Sequence, residues 1–289
     1  MVTTAPAQSA YDERRRTPGA GPDAPPERQP ELLSSGAHCD LLEARRGTWA
    51  ERVADLSLLR GRHPAVVHIA VTIVLWAALV AFMTVIGRIL TEILVPHLGV
   101  GLAERSYNDW LEDHRAPGRE DVSWVGSTLS GGVVLPLVVA VTCISLAFKR
   151  WWRLAGFFLT AILIEVTAYR AIVTLVPRER PDVQRLEDLP IQHSFPSGHV
   201  AASVAVYGSL ALVAAVYLRD SRWRYAAYAF GVGLPLLVAG SRMYRGMHNP
   251  TDAFAGLVMG SLAVLIAIFV ARVVGVVACR RQQAKEAHA

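Results

Sequence analysis

The chain has 289 residues, of which 53% are hydrophobic and only 18% are charged, and its formal net charge is +5. This composition excludes an ordinary soluble domain, because the apolar residues gather in runs of about 20 that carry almost no charge and predict membrane spans. The basic residues lie between these runs, which indicates orientation in a membrane rather than nucleic-acid binding. Cys39, Cys143 and Cys279 are too widely spaced to predict a disulfide framework or a metal site.

The N-terminal part of the chain divides into two segments before the first apolar run. Residues 1–40 are rich in Pro, Ala, Gly, Glu and Arg, which predicts a disordered cytoplasmic tail. Residues 41–62 predict an amphipathic helix at a membrane surface, and a helix packed on the protein itself is the open alternative. The apolar residues that recur there at helical spacing are Leu42, Trp49, Val53 and Leu56.

Six membrane spans are predicted, and they define an all-α, integral membrane six-helix bundle over residues 63–278. The spans cover residues 64–86, 128–148, 154–176, 197–218, 225–242 and 250–277. The polar segment 96–126 is interpreted as a loop with a short helix around Trp110, and residues 279–289 as a cytoplasmic C-terminal tail.

The basic residues predict how the bundle is oriented. Clusters follow the second span at 149–153 and the fourth span at 219–224, and a third ends the chain at 280–285. With six spans these clusters and both termini share one side, which the positive-inside rule assigns to the cytoplasm. The loops at 177–196 and 243–249 then face outward, and the Ala-, Val- and Arg-rich composition suggests a bacterial plasma membrane.

Three polar clusters fall at the outward ends of neighbouring spans. They are Arg178–Pro181, Pro196–His199 and Ser241–Asp252. Each has a plainer interpretation, since Ser and Asn cap helices and arginines anchor spans at the interface. Their coincidence at one side of the bundle instead predicts a functional site.

The residue types in these clusters are those that phosphoryl transfer requires without a metal. Arginine forks match phosphate oxygens, and Ser197 at a helix start leaves backbone N–H groups free for an anion. A histidine with a carboxylate partner is a nucleophile or a base, and a second histidine supplies an acid. These residues alone do not tell which of His199 and His248 attacks.

The motifs resemble those of the type 2 phosphatidic acid phosphatase superfamily, membrane lipid phosphatases related to vanadium haloperoxidases. That family carries K-x6-R-P, then P-S-G-H, then S-R-x5-H-x3-D, and the second and third motifs are complete here. The resemblance covers about residues 120–275.

The resemblance implies a role for each of three residues. His248 attacks phosphorus and forms a phosphohistidine, and Asp252 orients and polarises the His248 ring. His199 protonates the leaving oxygen and then activates water. The groups that the resemblance implies for the phosphoryl oxygens are Arg180, Arg242, Ser197 and the backbone N–H of Gly198.

The first motif departs from the family pattern, because Val173 stands where the family has lysine. Arg170, one helical turn deeper, and Arg178, in the loop, are the two candidates for the missing cation. We favour Arg178, because Glu165 lies close enough in sequence to pair with Arg170. His193 is a further candidate for contact with a substrate headgroup.

These observations predict an enzyme that needs no metal or cofactor and hydrolyses a lipid phosphate or pyrophosphate at the extracytoplasmic face. Polyprenyl pyrophosphate, phosphatidic acid and phosphatidylglycerol phosphate are the candidate substrates, and the bilayer is the only other predicted partner. Two alternatives stay open, a lipid phosphoryl or headgroup transferase, and a transporter or binding protein with a basic outward pocket.

Overall fold

The computed structural model describes residues 40–188, 192–218 and 221–287. Apart from Asp40, the predicted N-terminal tail lies outside the described residues. The described residues form helices and connecting turns only, as predicted. The helices, numbered in chain order, are α1 (Trp49–Ala54), α2 (Pro64–His97), α3 (Val100–Asp113), α4 (Pro117–Leu129), α5 (Val134–Phe148), α6 (Trp152–Leu175), α7 (Gly198–Tyr217), α8 (Trp223–Tyr244) and α9 (Pro250–Glu286).

The predicted bundle of membrane helices is confirmed. Within the described ranges, α2, α6, α7, α8 and α9 are each long and apolar enough to cross a membrane. Helices α4 and α5 meet at a bend of 45° and together make up to a sixth span. The chain is therefore a multi-pass membrane protein, and the bent pair takes the place of the predicted second span.

Helical structure extends into three segments that lie outside the predicted spans, including the short helix predicted around Trp110. Most of the predicted loop 96–126 is helical, as α3 and the first part of α4. Helix α2 continues eleven residues past the predicted end at Ile86 to His97. Helix α9 runs through most of the predicted C-terminal tail to Glu286. The segments 96–126 and 279–286 are polar but keep residues that are compatible with helix, whereas residues 87–97 stay largely apolar and are interrupted by Arg88 and Glu92.

Helix α9 is the central element of the bundle. It packs against α1, α2, α6 and α7, and α8 packs against α4 and α7. At 37 residues, α9 is about 55 Å long, so it extends well beyond the roughly 30 Å hydrocarbon core of a bilayer.

The start of α7 lies directly against α9, because two glycines on α9 remove the side chains that would separate them. A Cβ at Gly256 would lie 2.6 Å from the carbonyl oxygen of Ser197, and one at Gly260 would lie 2.5 Å from that of Ala201. Small residues allow such backbone approach between membrane helices. This contact sets the N-termini of α7 and α9 side by side.

The segment 41–62 is only partly helical and packs on the bundle. Ala50 and Ala54 of α1 join a core with Val273 and Val277 of α9, whereas Trp49 is exposed. The segment therefore packs on the protein, and its position at a membrane surface stays a prediction.

Replacing Gly260 by alanine is expected to destabilise the bundle, because the new methyl group meets the Ala201 carbonyl rather than a movable side chain. Overpacking of this kind costs about 1–3 kcal/mol. Thermal unfolding in detergent, followed by tryptophan fluorescence, should give a lower midpoint for Gly260→Ala. Gly233→Ala is the control, because its Cβ would meet nothing within 4 Å. Equal midpoints for the two variants would contradict the close contact.

Candidate active site

The three predicted polar clusters meet at one end of the bundle. The backbone N–H of Ser197 donates to the carbonyl of Asp252 at 3.0 Å, which joins the starts of α7 and α9. Arg180, in the loop after α6, donates to the Met247 carbonyl and to the His193 carbonyl, the latter at 3.3 Å. The loop, the start of α7 and the turn between α8 and α9 therefore form one site.

His248 is buried in this site in a defined tautomer. Its Nδ1 lies 2.9 Å from the carbonyl oxygen of Ser194. Because a carbonyl can only accept, Nδ1 carries the proton, and Nε2 keeps a lone pair in the neutral ring. Burial, together with the charges of Arg242 and Arg180 and nearby His199, lowers the pKa of His248 well below its usual value. The imidazole is therefore neutral at neutral pH.

Arg242 presents one unengaged edge in the same site. Its side chain is fully buried, and Nη1 donates to the Ser127 hydroxyl at 2.6 Å and to the carboxylate of Glu187. Nε and Nη2 are buried without a partner among the described residues, and so is the hydroxyl of Ser197. Nε and Nη2 form the side-on fork that binds two oxygens of a phosphate or carboxylate. These orphaned donors fit an oxyanion.

The beginning of α7 adds Gly198 and His199 to the site. A Cβ on Gly198 would lie 2.7 Å from the ring of Tyr169, so the close packing of that ring requires glycine. Gly198 is the first residue of α7, where a backbone N–H has no partner within the helix. His199 is half-buried and near enough for its charge to act on His248.

Asp252 is buried at the start of α9, but its contacts differ from those that the resemblance implies. Oδ2 accepts the backbone N–H of Asn249 at 2.9 Å, and Oδ1 pairs with Arg178. The described contact of His248 Nδ1 is the Ser194 carbonyl instead. Asp252 is linked to His248 indirectly, through Arg178 and Ser194. Asp252 pairs with Arg178, and the backbone carbonyl of Arg178 accepts the N–H of Ser194 at 2.8 Å.

The arrangement around Arg178 does not fit the prediction that it replaces the missing lysine. Its Nη1 contacts Asp252 and the Thr251 hydroxyl, and its Nη2 lies 2.5 Å from Glu104 of α3. Glu104 also accepts from the Thr251 hydroxyl at 2.5 Å. All four side chains are buried or half-buried, so Arg178 is a counterion within a buried network rather than a free cation.

Arg170 is not brought to the site either. Its side chain is exposed, whereas Val173 and Glu165 are buried. Neither Arg170 nor Glu165 has an ion pair within the part of the chain that the structure describes, so the predicted pairing of the two is wrong as well.

Glu187 is the main site residue that sequence reasoning missed. It binds Arg242 through one carboxylate oxygen and Nε of Arg245 through the other, at 2.5 Å. Burial raises the pKa of Glu187, but the charges of Arg242 and Arg245 and a hydrogen bond to Ser127 outweigh burial and leave the pKa below its usual value. Glu187 is therefore ionised.

Sequence reasoning also missed four other residues of the site, which are Ser194, Glu104, Ser127 and Tyr169. Of these, only Ser194 carried a signal, because it lies three residues before Ser197 and adjoins a motif.

The described residues contain no group of three or more His, Cys, Asp or Glu side chains arranged to hold a metal ion. The arrangement instead offers a neutral imidazole, a second histidine and several positively polarised donors around one point.

Removing the Arg178 side chain should destabilise the protein, because Asp252 and Glu104 would be left as buried carboxylates without their cation. Breaking a buried ion pair from one side costs about 3–5 kcal/mol. We expect Arg178→Ala to lower the unfolding midpoint and the folded yield in detergent. Arg170→Ala, which removes an exposed arginine, should do neither, and an unchanged midpoint for Arg178→Ala would contradict the buried network.

The low pKa of His248 predicts a loss of stability in acid. A pKa that is lower in the folded than in the unfolded state means that the unfolded chain binds the proton more readily as pH falls below about 6.5. The unfolding midpoint of the wild type should therefore drop between pH 7.5 and pH 5.5. His248→Gln should show a smaller drop, and exposed His97→Gln should behave as the wild type. Parallel curves for the wild type and His248→Gln would contradict a neutral, buried His248.

Comparison with known proteins agrees with the motifs. Residues 152–274 match the sequence model of the PAP2 superfamily. An undecaprenyl-diphosphatase of Sulfolobus acidocaldarius is 30% identical over 133 residues, which are 43% of this chain and 58% of that protein. A phosphatidylglycerophosphatase B of Bacillus subtilis is 25% identical over 152 residues, which are 48% of this chain and 71% of that protein. The chain therefore spans less than two thirds of the length of the archaeal relative.

A solved structure shares the fold. The crystal structure of a transmembrane PAP2-type phosphatidylglycerolphosphate phosphatase from Bacillus subtilis aligns with a TM-score of 0.57 at 23% identity. The alignment covers 65% of this chain and 93% of that one. Residues 152–274, which contain both complete motifs, are therefore the part of the chain that is similar to the PAP2 superfamily, the type 2 phosphatidic acid phosphatases.

Proposed function

We propose that the protein is a membrane lipid phosphatase that works through a phosphohistidine on His248. The observation that carries this proposal is the buried, unpartnered fork of Arg242 near a neutral His248, together with the equally unpartnered hydroxyl of Ser197 at the start of α7. Donors without partners in a buried site are costly unless an anion completes them. A tetrahedral phosphoryl group matches both the fork and the neighbouring nucleophile.

The proposed reaction uses His248 as a neutral nucleophile and His199 as the group that gives and then takes a proton. The Nε2 lone pair of His248 attacks phosphorus, and the bond from phosphorus to the leaving oxygen breaks while His199 gives that oxygen its proton. A water molecule then attacks the phosphohistidine, and His199 takes a proton from it. Inorganic phosphate leaves, and His248 returns to its neutral form.

The positively charged groups bind and stabilise the phosphoryl oxygens. Arg242 and Arg180 face growing negative charge in a buried site, where electrostatic stabilisation is stronger than in water. Ser197 and the N–H of Gly198 supply further donors at the helix start. Asp252 acts on His248 through Arg178 and the Ser194 backbone, by fixing the carbonyl that holds Nδ1–H.

The substrate class is inferred from the setting of the site. It lies at the ends of membrane helices, so a lipid headgroup can reach it from the bilayer. The names of the relatives, an undecaprenyl-diphosphatase and a phosphatidylglycerophosphatase, support a lipid pyrophosphate or phosphate. The basic turns at 149–153 and 222–224 lie at the opposite ends of the same helices, which supports an extracytoplasmic site with cytoplasmic termini.

Phosphate release by the purified protein in detergent tests the proposal. We expect release from at least one of undecaprenyl diphosphate, phosphatidylglycerophosphate and phosphatidic acid. His248→Ala should abolish it, and His199→Ala should lower kcat by about 10²- to 10⁴-fold, the range for loss of a general acid–base group. His97→Ala, which removes an exposed histidine of α2, is the matched control. The rate should persist in EDTA, because the phosphoryl group is held by arginines and neutral donors.

Other outcomes would overturn the proposal in distinguishable ways. Equal release by His248→Ala would exclude His248 as the nucleophile. Transfer to an added lipid acceptor without phosphate release would indicate a transferase. Binding of these lipids without turnover by folded wild type would indicate a binding protein or transporter.

A further inference from the structure

Glu187 carries an inference that deepens the proposed function and rests on it. This carboxylate belongs to the loop between α6 and α7, outside all three motifs, yet it contacts the arginine that the site depends on. Its two oxygens contact different arginines of one turn, Arg242 and Arg245. We infer that Glu187 is a positioning residue that holds Arg242 so that the Nε–Nη2 fork faces the phosphoryl group.

The division of contacts on Arg242 is the first support. A guanidinium can present several edges to an oxyanion, and a flexible arginine would present them all. Glu187 and Ser127 both engage Nη1, and neither engages Nε or Nη2. Because Nη1 is held from two sides, rotation of the guanidinium plane would break two hydrogen bonds. The free fork is thereby fixed in one direction before a substrate arrives.

The fixation of Glu187 itself is the second support. Arg245 donates from Nε to Glu187 and from Nη2 to the Leu186 carbonyl at 3.0 Å, and the Leu186 N–H donates to the Arg245 carbonyl at 3.1 Å. Arg245 also reaches the Ser123 hydroxyl of α4 at 3.2 Å. The carboxylate is thus anchored to α8 and α4 through a buried arginine, as a positioning group requires.

The charge of Glu187 explains why a carboxylate is suited to this position. Arg180, Arg242 and Arg245 gather near one point, and Arg242 is fully buried. A buried cation without a counterion is strongly disfavoured. Glu187 supplies that counterion on the far edge of Arg242, so the near edge can remain unpaired for phosphate.

In a competing interpretation, Glu187 mimics the substrate phosphate and blocks Arg242, so it must move away before the substrate binds. That arrangement would place the carboxylate on the Nε–Nη2 fork, where a phosphate binds side-on. The carboxylate lies on Nη1 instead. The two interpretations predict opposite effects of removing Glu187, which makes them separable.

The test measures both turnover and direct phosphate binding. Glu187→Ala should raise KM for the lipid phosphate by about tenfold to a hundredfold, the effect of losing one or two charge-assisted hydrogen bonds that hold the binding group. Glu187→Gln, which keeps the volume and one acceptor oxygen, should give a smaller rise. Glu179→Gln is the matched control, because Glu179 is an exposed glutamate of the same loop.

Phosphate binding separates this inference from the proposed function. Inorganic phosphate, titrated by ³¹P NMR into the His248→Ala protein, needs no turnover, and adding Glu187→Ala should weaken its Kd by the same factor. A weakened Kd, together with a folded wild type that hydrolyses no lipid, would support the positioning role while rejecting the phosphatase. An unchanged KM and Kd in folded Glu187 variants would overturn the inference, and a lower KM would instead identify Glu187 as a blocking group.

Discussion

The cost of burying charge at the end of an apolar bundle is the constraint on which this structure depends. Arg242, Arg178 and Asp252 are almost fully removed from solvent, and each would be strongly disfavoured alone. Partners from distant parts of the chain stabilise these charges, namely Glu187 and Ser127 for Arg242, and Glu104 for Arg178. Among the described site residues around Arg242, its Nε–Nη2 fork and the hydroxyl of Ser197 are buried without a partner. A site built for an oxyanion is thus the part of the network that the protein leaves open.

Two networks with different tasks meet at this point. One runs from Glu104 through Arg178 to Asp252 and fixes the start of α9 and, through Ser194, the tautomer of His248. The other runs from Arg245 through Glu187 to Arg242 and holds Nη1 of Arg242, which leaves its Nε–Nη2 fork unengaged. The glycine contact between α7 and α9 joins them, because it sets Ser197 and Asp252 within one backbone hydrogen bond. The proposed nucleophile, His248, and the proposed phosphate-binding group, Arg242, are therefore held by separate networks.

The sequence predicts the features that are local along the chain. Uncharged runs of about 20 residues mark the spans, and the Pro196–His199 and Ser241–Asp252 motifs predict which side chains gather at their ends. It could not predict Glu104 or Glu187, because they contact residues 74 and 55 positions away and lie in unremarkable polar segments. For the same reason Arg178 was interpreted as a phosphate ligand, since nothing beside it in sequence reveals its two carboxylate partners. Helix α3 is longer than the short helix predicted around Trp110, because a polar helix over the end of a bundle has the composition of a loop.

The most direct test of the central claim is to trap the intermediate. We would mix the protein with a ³²P-labelled lipid phosphate and quench the reaction within milliseconds in alkali. Phosphohistidine survives in alkali, whereas phosphoserine and phosphoaspartate do not. The labelled peptide is then identified by mass spectrometry. The proposed mechanism predicts stoichiometric label on His248. The label should accumulate in the His199→Ala variant if loss of His199 slows hydrolysis of the phosphohistidine more than its formation. Label on His199, or turnover with no protein-bound phosphate at any time, would contradict it.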